Sequence, residues 1–448
     1  MIDRARLAAL LERERAAFGE RNPRSRSAYE AARHLFGQVP MTWMNKRAGG
    51  FPLYLATARG ARVTDFDGHS YVDFCLGDTG AMAGHSPEPV VTAVRRRIED
   101  DGGLTAMMPT QDAAWVGEEL ARRFGLPAWS FSLTATDANR WAIRLARALT
   151  DRSRILFHSY CYHGSVDESL IVLADGQPAS RWGNVGAPTD VLTTSRVAEI
   201  NDLDGLEREL SHGDTAAVLI EPALTNIGIV LPEPGYLQGV RELTRRYGTL
   251  LIHDETHTFS AGPGGVTGRD GLRPDVVTIG KAIAGGVPCG AYGLSQQVAD
   301  RLLGRTDLDL VDMGGVGGTL AGNPVSMAAA RACLGEVLTD DAFTHMIALT
   351  TRLAGALTEA VHAAALPWSV SQLGARVEFR YADPAPRTGA ESQAADDGEL
   401  DDYLHVFCAN RGVLLTPFHN MALTCPASTA SDVDSYAAVF TDALASLG

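Results

Sequence analysis

Lys281 has the setting that most suits covalent chemistry in this 448-residue chain. It stands in Thr278-Ile279-Gly280-Lys281-Ala282-Ile283-Ala284-Gly285-Gly286, a lone lysine between an apolar run and small residues. A charged ammonium is hard to bury in such surroundings. A neutral, desolvated amine is what Schiff-base formation needs. The ordinary alternative is a lysine that lays its stem on the surface and keeps its charge in water. Asp254 ends the run Thr249-Leu250-Leu251-Ile252-His253. In an α/β sheet, ligands bind at the carboxyl ends of the strands, so a carboxylate there faces a site. A plain helix N-cap is the alternative.

Together Lys281 and Asp254 suit a pyridoxal 5′-phosphate lysine with an acidic partner for the pyridine nitrogen. The acid keeps that nitrogen protonated, and the protonated ring acts as an electron sink. Thr134-Ala135-Thr136-Asp137 lies between a strand and a helix. Hydroxyls and free N–H groups at a helix start form a phosphate seat, though a threonine there also caps the helix. Tyr160-Cys161-Tyr162-His163-Gly164 follows a short strand, where an aromatic ring stacks on a flat cofactor or simply packs in the core. Glu221-Pro222 follows another strand, and Gly317-Gly318-Thr319-Leu320-Ala321-Gly322 offers small residues and a threonine to a phosphate, or is a flexible loop. His163 and His257 either touch the site or are structural hydrogen-bonding residues.

The elements that must position these groups alternate along the chain. Apolar spacing predicts helices over Asp112 to Phe124, Asp137 to Leu149 and Tyr236 to Tyr247. Strands are predicted at Trp129 to Leu133, Ile155 to Phe157, Ala216 to Ile220, Thr249 to His253 and Val276 to Ile279. Strands alternating with helices give an α/β fold with a mainly parallel, doubly wound sheet. Arg62 to Phe66 and Tyr71 to Phe74, parted by Asp67-Gly68, read as a hairpin. From about Pro324 the pattern reads as a smaller α/β domain, with strands near Ala375 to Arg380 and Val413 to Leu415. Asp383 to Gly398 is polar and rich in Pro, Ala and Gly, and is expected to be a mobile surface loop.

Composition limits the rest. The net charge of -15, from 54 acids against 39 bases, argues against a generic nucleic-acid surface. The six cysteines show no zinc spacing and fit a reducing compartment. No apolar run approaches the ~20 residues that span a bilayer. The charged N-terminus reads as an amphipathic helix rather than a signal peptide. A cytoplasmic protein that avoids membranes is expected.

The chain resembles the class III aminotransferases of PLP fold type I, and within them the glutamate-1-semialdehyde aminomutase branch. The resemblance runs from about Gly60 to the C-terminus. Its marks are DFDGHSYVDF at Asp65, GHSPEPV at Gly84, CYHG at Cys161, EPALTNIGIVLPEPGYL at Glu221, HDETHT at His253, GK at Gly280, GGVPCGAYG at Gly285 and GTLAGNP at Gly318. It implies that Lys281 carries the cofactor and shuttles protons, and that Asp254 pairs with the pyridine nitrogen. Tyr162 would stack on the ring; Thr134, Ala135 and Thr136 would hold the phosphate; Glu221 would support the site near the ring hydroxyl. Thr319 would reach the phosphate of the neighbouring subunit in a homodimer with shared sites. The implied division is an N-terminal helix and segment over 1–74 that contributes to the small domain and the dimer, a large cofactor-binding domain over 75–323 and a C-terminal small domain over 324–448. The implied reaction moves an amino group from an amine or amino acid to a carbonyl acceptor. Intramolecular aminomutation uses the same residues and is the second reading. A catalytically idle binding module is a third, and a racemase or decarboxylase is also open on this fold.

Three departures stand out. The phosphate loop has Ala135 where glycine is usual, and alanine disfavours positive φ. Thr256 is polar where an apolar side chain is usual beneath the ring. No arginine occurs in Pro40 to Asn45, nor in Thr416 to Asn420, where relatives hold a substrate carboxylate. Losing a bidentate arginine is a large chemical change. Trp43, Met44 and Phe418 are expected to give an apolar substrate wall instead.

Overall fold

A computed structural model describes residues 2–305, 307 and 316–448. The chain divides into two compact units. One comprises Met1–Ser86, Thr344–Pro386 and Ala395–Gly448; the other comprises Pro87–Phe343 and Arg387–Ala394. These boundaries differ from a division at 74 and 323. The helix Pro324–Ala332 belongs to the second unit, and the first unit reaches Ser86.

The second unit is built on a seven-stranded sheet. Its order is Ala128–Ser132, Gly290–Leu294, Val276–Ile279, Leu250–Asp254, Thr215–Ile220, Arg154–His158 and Ser195–Ala198. Gly290–Leu294 runs antiparallel to both neighbours, and the other pairings are parallel. Thr215–Ile220 and Leu250–Asp254 are buried along their whole length, which is why Ala216–Ile220 and Leu250–Ile252 read as apolar runs. Each Leu or Ile so buried contributes roughly 1.5–3 kcal/mol.

The helix Ala135–Thr150 packs on this sheet through Ala138, Ala142, Leu145 and Ala146. Its start is fixed by Thr134, whose hydroxyl accepts the Asp137 N–H at 3.1 Å. Its end is fixed by Asp151 at φ 53°, whose N–H returns to Arg147 O at 2.9 Å.

The expected loop over Asp383 to Gly398 is instead tied down. Gly389–Ala394 is a short helix of the second unit. Gly389 N–H donates to Glu199 at 2.9 Å, and the Ser392 hydroxyl donates to Ile227 O. Composition misled here because these anchors lie 190 and 165 residues away in sequence.

In the first unit, Arg62–Asp65 and Ser70–Asp73 form the expected hairpin, with Val413–Leu414 added in parallel. A three-stranded sheet of Ser369–Leu373, Arg376–Arg380 and Met421–Leu423 completes it. The N-terminal helix Arg4–Arg21 buries Leu7, Leu11 and Phe18 in a core that includes Phe379, Tyr436 and Phe440. No helix among the described residues is long and apolar enough to cross a membrane.

Candidate active site

Asp254 is the last residue of its strand and is almost completely buried. Its Oδ2 accepts from Asn139 Nδ2 at 2.8 Å and lies 2.9 Å from His163 Nδ1. Its Oδ1 accepts the Thr256 N–H at 3.0 Å. Asn139 is oriented in turn by the Thr278 hydroxyl, which donates to its Oδ1 at 2.5 Å. Burial alone would raise the Asp254 pKa; the His163 cation, with the Thr256 and Asn139 hydrogen bonds, outweighs it and holds the carboxyl below its usual range. Burial likewise opposes a charged His163, but Cys161 and Asp254 hold its pKa well above the ordinary value. An ionised carboxylate is therefore maintained in a dry place.

Lys281 opens a single 3-10 turn over Lys281–Ala284 just beyond the strand Val276–Ile279. Its φ is 51°, a left-handed conformation that is uncommon for a residue with a side chain. Gly280 lets the lysine meet the start of the long helix. A Cβ there would lie 2.9 Å from Ala135 N and 3.0 Å from Ala135 Cβ. Lys281 Nζ is 2.6 Å from His257 Nε2.

Thr134, Ala135 and Thr136 form the cap and first two positions of the helix. Ala135 is helical and lies outside the positive-φ residues, so alanine fits without a left-handed turn. The N–H groups of Ala135 and Thr136 have no carbonyl one turn back to bond. The Thr136 hydroxyl accepts the Ser165 N–H at 3.3 Å. Tyr162 is half-buried, and its N–H donates to Glu221 Oε1 at 3.0 Å.

Two expectations concern other places. Thr319 is exposed in the turn before Pro324–Ala332. Trp43 and Phe418 meet edge to face within the first unit, with centroids 5.1 Å apart, and Met44 is exposed.

Pyridoxal phosphate fits the residues present. A buried carboxylate kept ionised suits a pyridinium N–H, a helix start with unbonded N–H groups suits a phosphate, and Lys281 stands between small residues. Among the described residues the buried Thr256 hydroxyl, beside Asp254, has no protein partner. Sequence reasoning overlooked Asn139 and Thr225. Asn139 was detectable as a lone amide one place from the buried Ala138, on a helix that otherwise buries apolar residues.

The family profile described as aminotransferase class-III matches residues 43–444. A glutamate-1-semialdehyde 2,1-aminomutase of Anaeromyxobacter dehalogenans (strain 2CP-C) is 32% identical over 416 residues, covering 91% of this chain and 95% of that relative. A solved structure of a glutamate-1-semialdehyde-aminomutase from Pseudomonas aeruginosa PAO1 is 46% identical, covers 100% of both chains and superimposes with a TM-score of 0.96. An omega-transaminase from Sphaerobacter thermophilus is 30% identical, covers 94% of this chain and 97% of its own, and gives a TM-score of 0.85. The match from residue 43 to 444 makes the chain a pyridoxal-phosphate-dependent member of the class III aminotransferase family.

Proposed function

We propose that the enzyme is an aminomutase of the glutamate-1-semialdehyde type, moving an amino group between adjacent carbons of one small molecule. The observation that carries this reading is the full-length likeness, at 46% identity, to the Pseudomonas aeruginosa aminomutase, a second structure of which is in complex with PMP. When bound, the cofactor supplies an electron sink for the substrate carbanion. Asp254 holds the proton on its ring nitrogen, Tyr162 covers its face, Thr134, Ala135 and Thr136 seat its phosphate, and Glu221 supports the site. Lys281 binds it and carries protons between substrate carbons.

Transfer to a separate carbonyl acceptor is the second reading. It is favoured by the absence of arginine from Pro40 to Asn45 and from Thr416 to Asn420. Trp43, Met44 and Phe418 suit an apolar substrate contact there, and a Trp43→Arg variant with unchanged substrate preference would argue against it.

A homodimer with shared sites is part of the proposal. Thr319 is exposed, as are Met107 and Met108, which a partner subunit would cover. We also place the enzyme in the cytoplasm, in keeping with six free cysteines. The deciding experiment supplies the semialdehyde to the loaded enzyme with no second substrate. Many turnovers to the rearranged amine support the mutase. A single stoichiometric conversion, relieved only by adding a keto acid or aldehyde, establishes the aminotransferase.

A further inference from the structure

We propose that His257 is the proton acceptor for Lys281, set in that role by Thr225 and Glu221. The inference rests on Lys281 being the cofactor lysine. Lys281 Nζ lies 2.6 Å from His257 Nε2, and His257 Nδ1 lies 2.7 Å from Thr225 Oγ1. The Thr225 hydroxyl donates to Glu221 Oε2 at 2.5 Å, and Glu221 Oε1 is held by the Tyr162 N–H at 3.0 Å. Glu221, Thr225 and His257 are each at most 4% exposed, so the chain is shielded from water.

The direction of this chain follows from counting protons. A threonine hydroxyl has one, and here it goes to Glu221. Toward His257 that oxygen can only accept, so Nδ1 carries the imidazole proton. A neutral imidazole protonated at Nδ1 keeps its lone pair on Nε2. That lone pair meets Lys281, so the lysine donates and the histidine accepts. A second proton on His257 is balanced by Glu221 Oε2, 3.5 Å from Nδ1. Asp254 and its partner His163 are the other ionisable pair near the same strand ends.

Lys281 needs a free lone pair at two moments. When it captures the cofactor aldehyde, an Nζ–C bond forms and the aldehyde oxygen leaves as water with two nitrogen protons. An ammonium has no lone pair to attack with, so one proton has to leave Nζ before that bond forms, and His257 Nε2 would receive it. When Lys281 takes a proton from substrate carbon, the C–H electron pair stays with the substrate. One Nζ proton then passes to His257 and returns as Lys281 reprotonates the substrate. No proton is gained or lost over the cycle.

The test follows capture of pyridoxal phosphate by the apoenzyme, by visible absorbance across pH, with borohydride reduction and peptide mapping to locate the adduct. His257→Gln keeps an acceptor but cannot hold a proton. It should slow capture near neutral pH by roughly 10²-fold and move the pH profile upward. Thr225→Val should act in the same direction, and Thr225→Ser should restore the rate. If His257→Gln is unstable, the Thr225 pair decides. Wild-type rates and pH profiles in both His257→Gln and Thr225→Val overturn the proposal. A wild-type protein with no adduct at Lys281 instead overturns the cofactor reading beneath it, and the proposal with it.

Discussion

His163 Nδ1 lies 2.9 Å from Asp254 Oδ2, and the two buried groups move each other's protonation in opposite directions. The Asp254 pKa is lowered, so its contribution to stability is present above the ordinary carboxylate range and is lost as pH falls through the lowered value. The His163 pKa is raised, so its contribution is lost as pH rises through the raised value. The ion pair therefore spans neutral pH. His163→Leu leaves an uncompensated buried carboxylate, an expected loss of about 3–5 kcal/mol. Denaturant unfolding of the apoprotein checks this, and a variant as stable as wild type at pH 7 would show that His163 contributes only packing.

Lys281 at φ 51° gives a test of backbone strain independent of catalysis. Both Lys281→Ala and Lys281→Gly are expected to abolish covalent cofactor capture. Glycine accepts the left-handed conformation freely, whereas alanine is strained by roughly 1–2 kcal/mol. The glycine variant should therefore melt at the higher temperature. The reverse order would mean that the turn relaxes once the lysine is gone.

Ala135→Gly addresses the unusual phosphate loop. Because Ala135 is already helical, glycine relieves nothing there and loses helix propensity. The expected result is a loss of roughly 0.5–1 kcal/mol in stability with no gain in cofactor affinity. Tighter pyridoxal phosphate binding by the glycine variant, measured by titration of the apoenzyme, would contradict the loop geometry described above.

Glu378 supplies a pH test in the first unit. Burial pushes its carboxyl up to about 7, against the pull of Arg380 and Arg376. Its oxygens have no hydrogen-bond partner among the described residues. With the folded pKa above the unfolded one, the native state holds the extra proton, so stability falls as pH rises from about 4.5 to about 7. The change amounts to about 3 kcal/mol. Glu378→Gln removes this slope, so its stability relative to wild type should improve by that order between pH 4.5 and 8. A constant difference across that range would place the Glu378 pKa near its ordinary value.

Much of the fold was legible because buried strands and amphipathic helices leave a periodic mark. Thr215–Ile220 and Ala135–Thr150 agree with their sequence patterns to within a residue or two. Lys281 and Asp254 stood out for a chemical reason, since a lysine and an acid placed where buried strands end are costly to bury charged. The Asp383 to Gly398 segment was not, because polar composition cannot reveal anchors at Glu199 and Ile227.

The sequence by itself pointed to the family and the cofactor, and singled out Lys281 and Asp254 as the candidate lysine and carboxylate. It left His163 and His257 open between site and scaffold. Only the tertiary structure decided that His163 pairs with Asp254 while His257 faces Lys281. It also brought Asn139, 115 residues from Asp254, within hydrogen-bond reach of that carboxylate. The physical reason is that hydrogen bonds act over about 3 Å. Local pattern records which residues are buried, but only the packing of strand ends and a helix start fixes which buried polar groups meet.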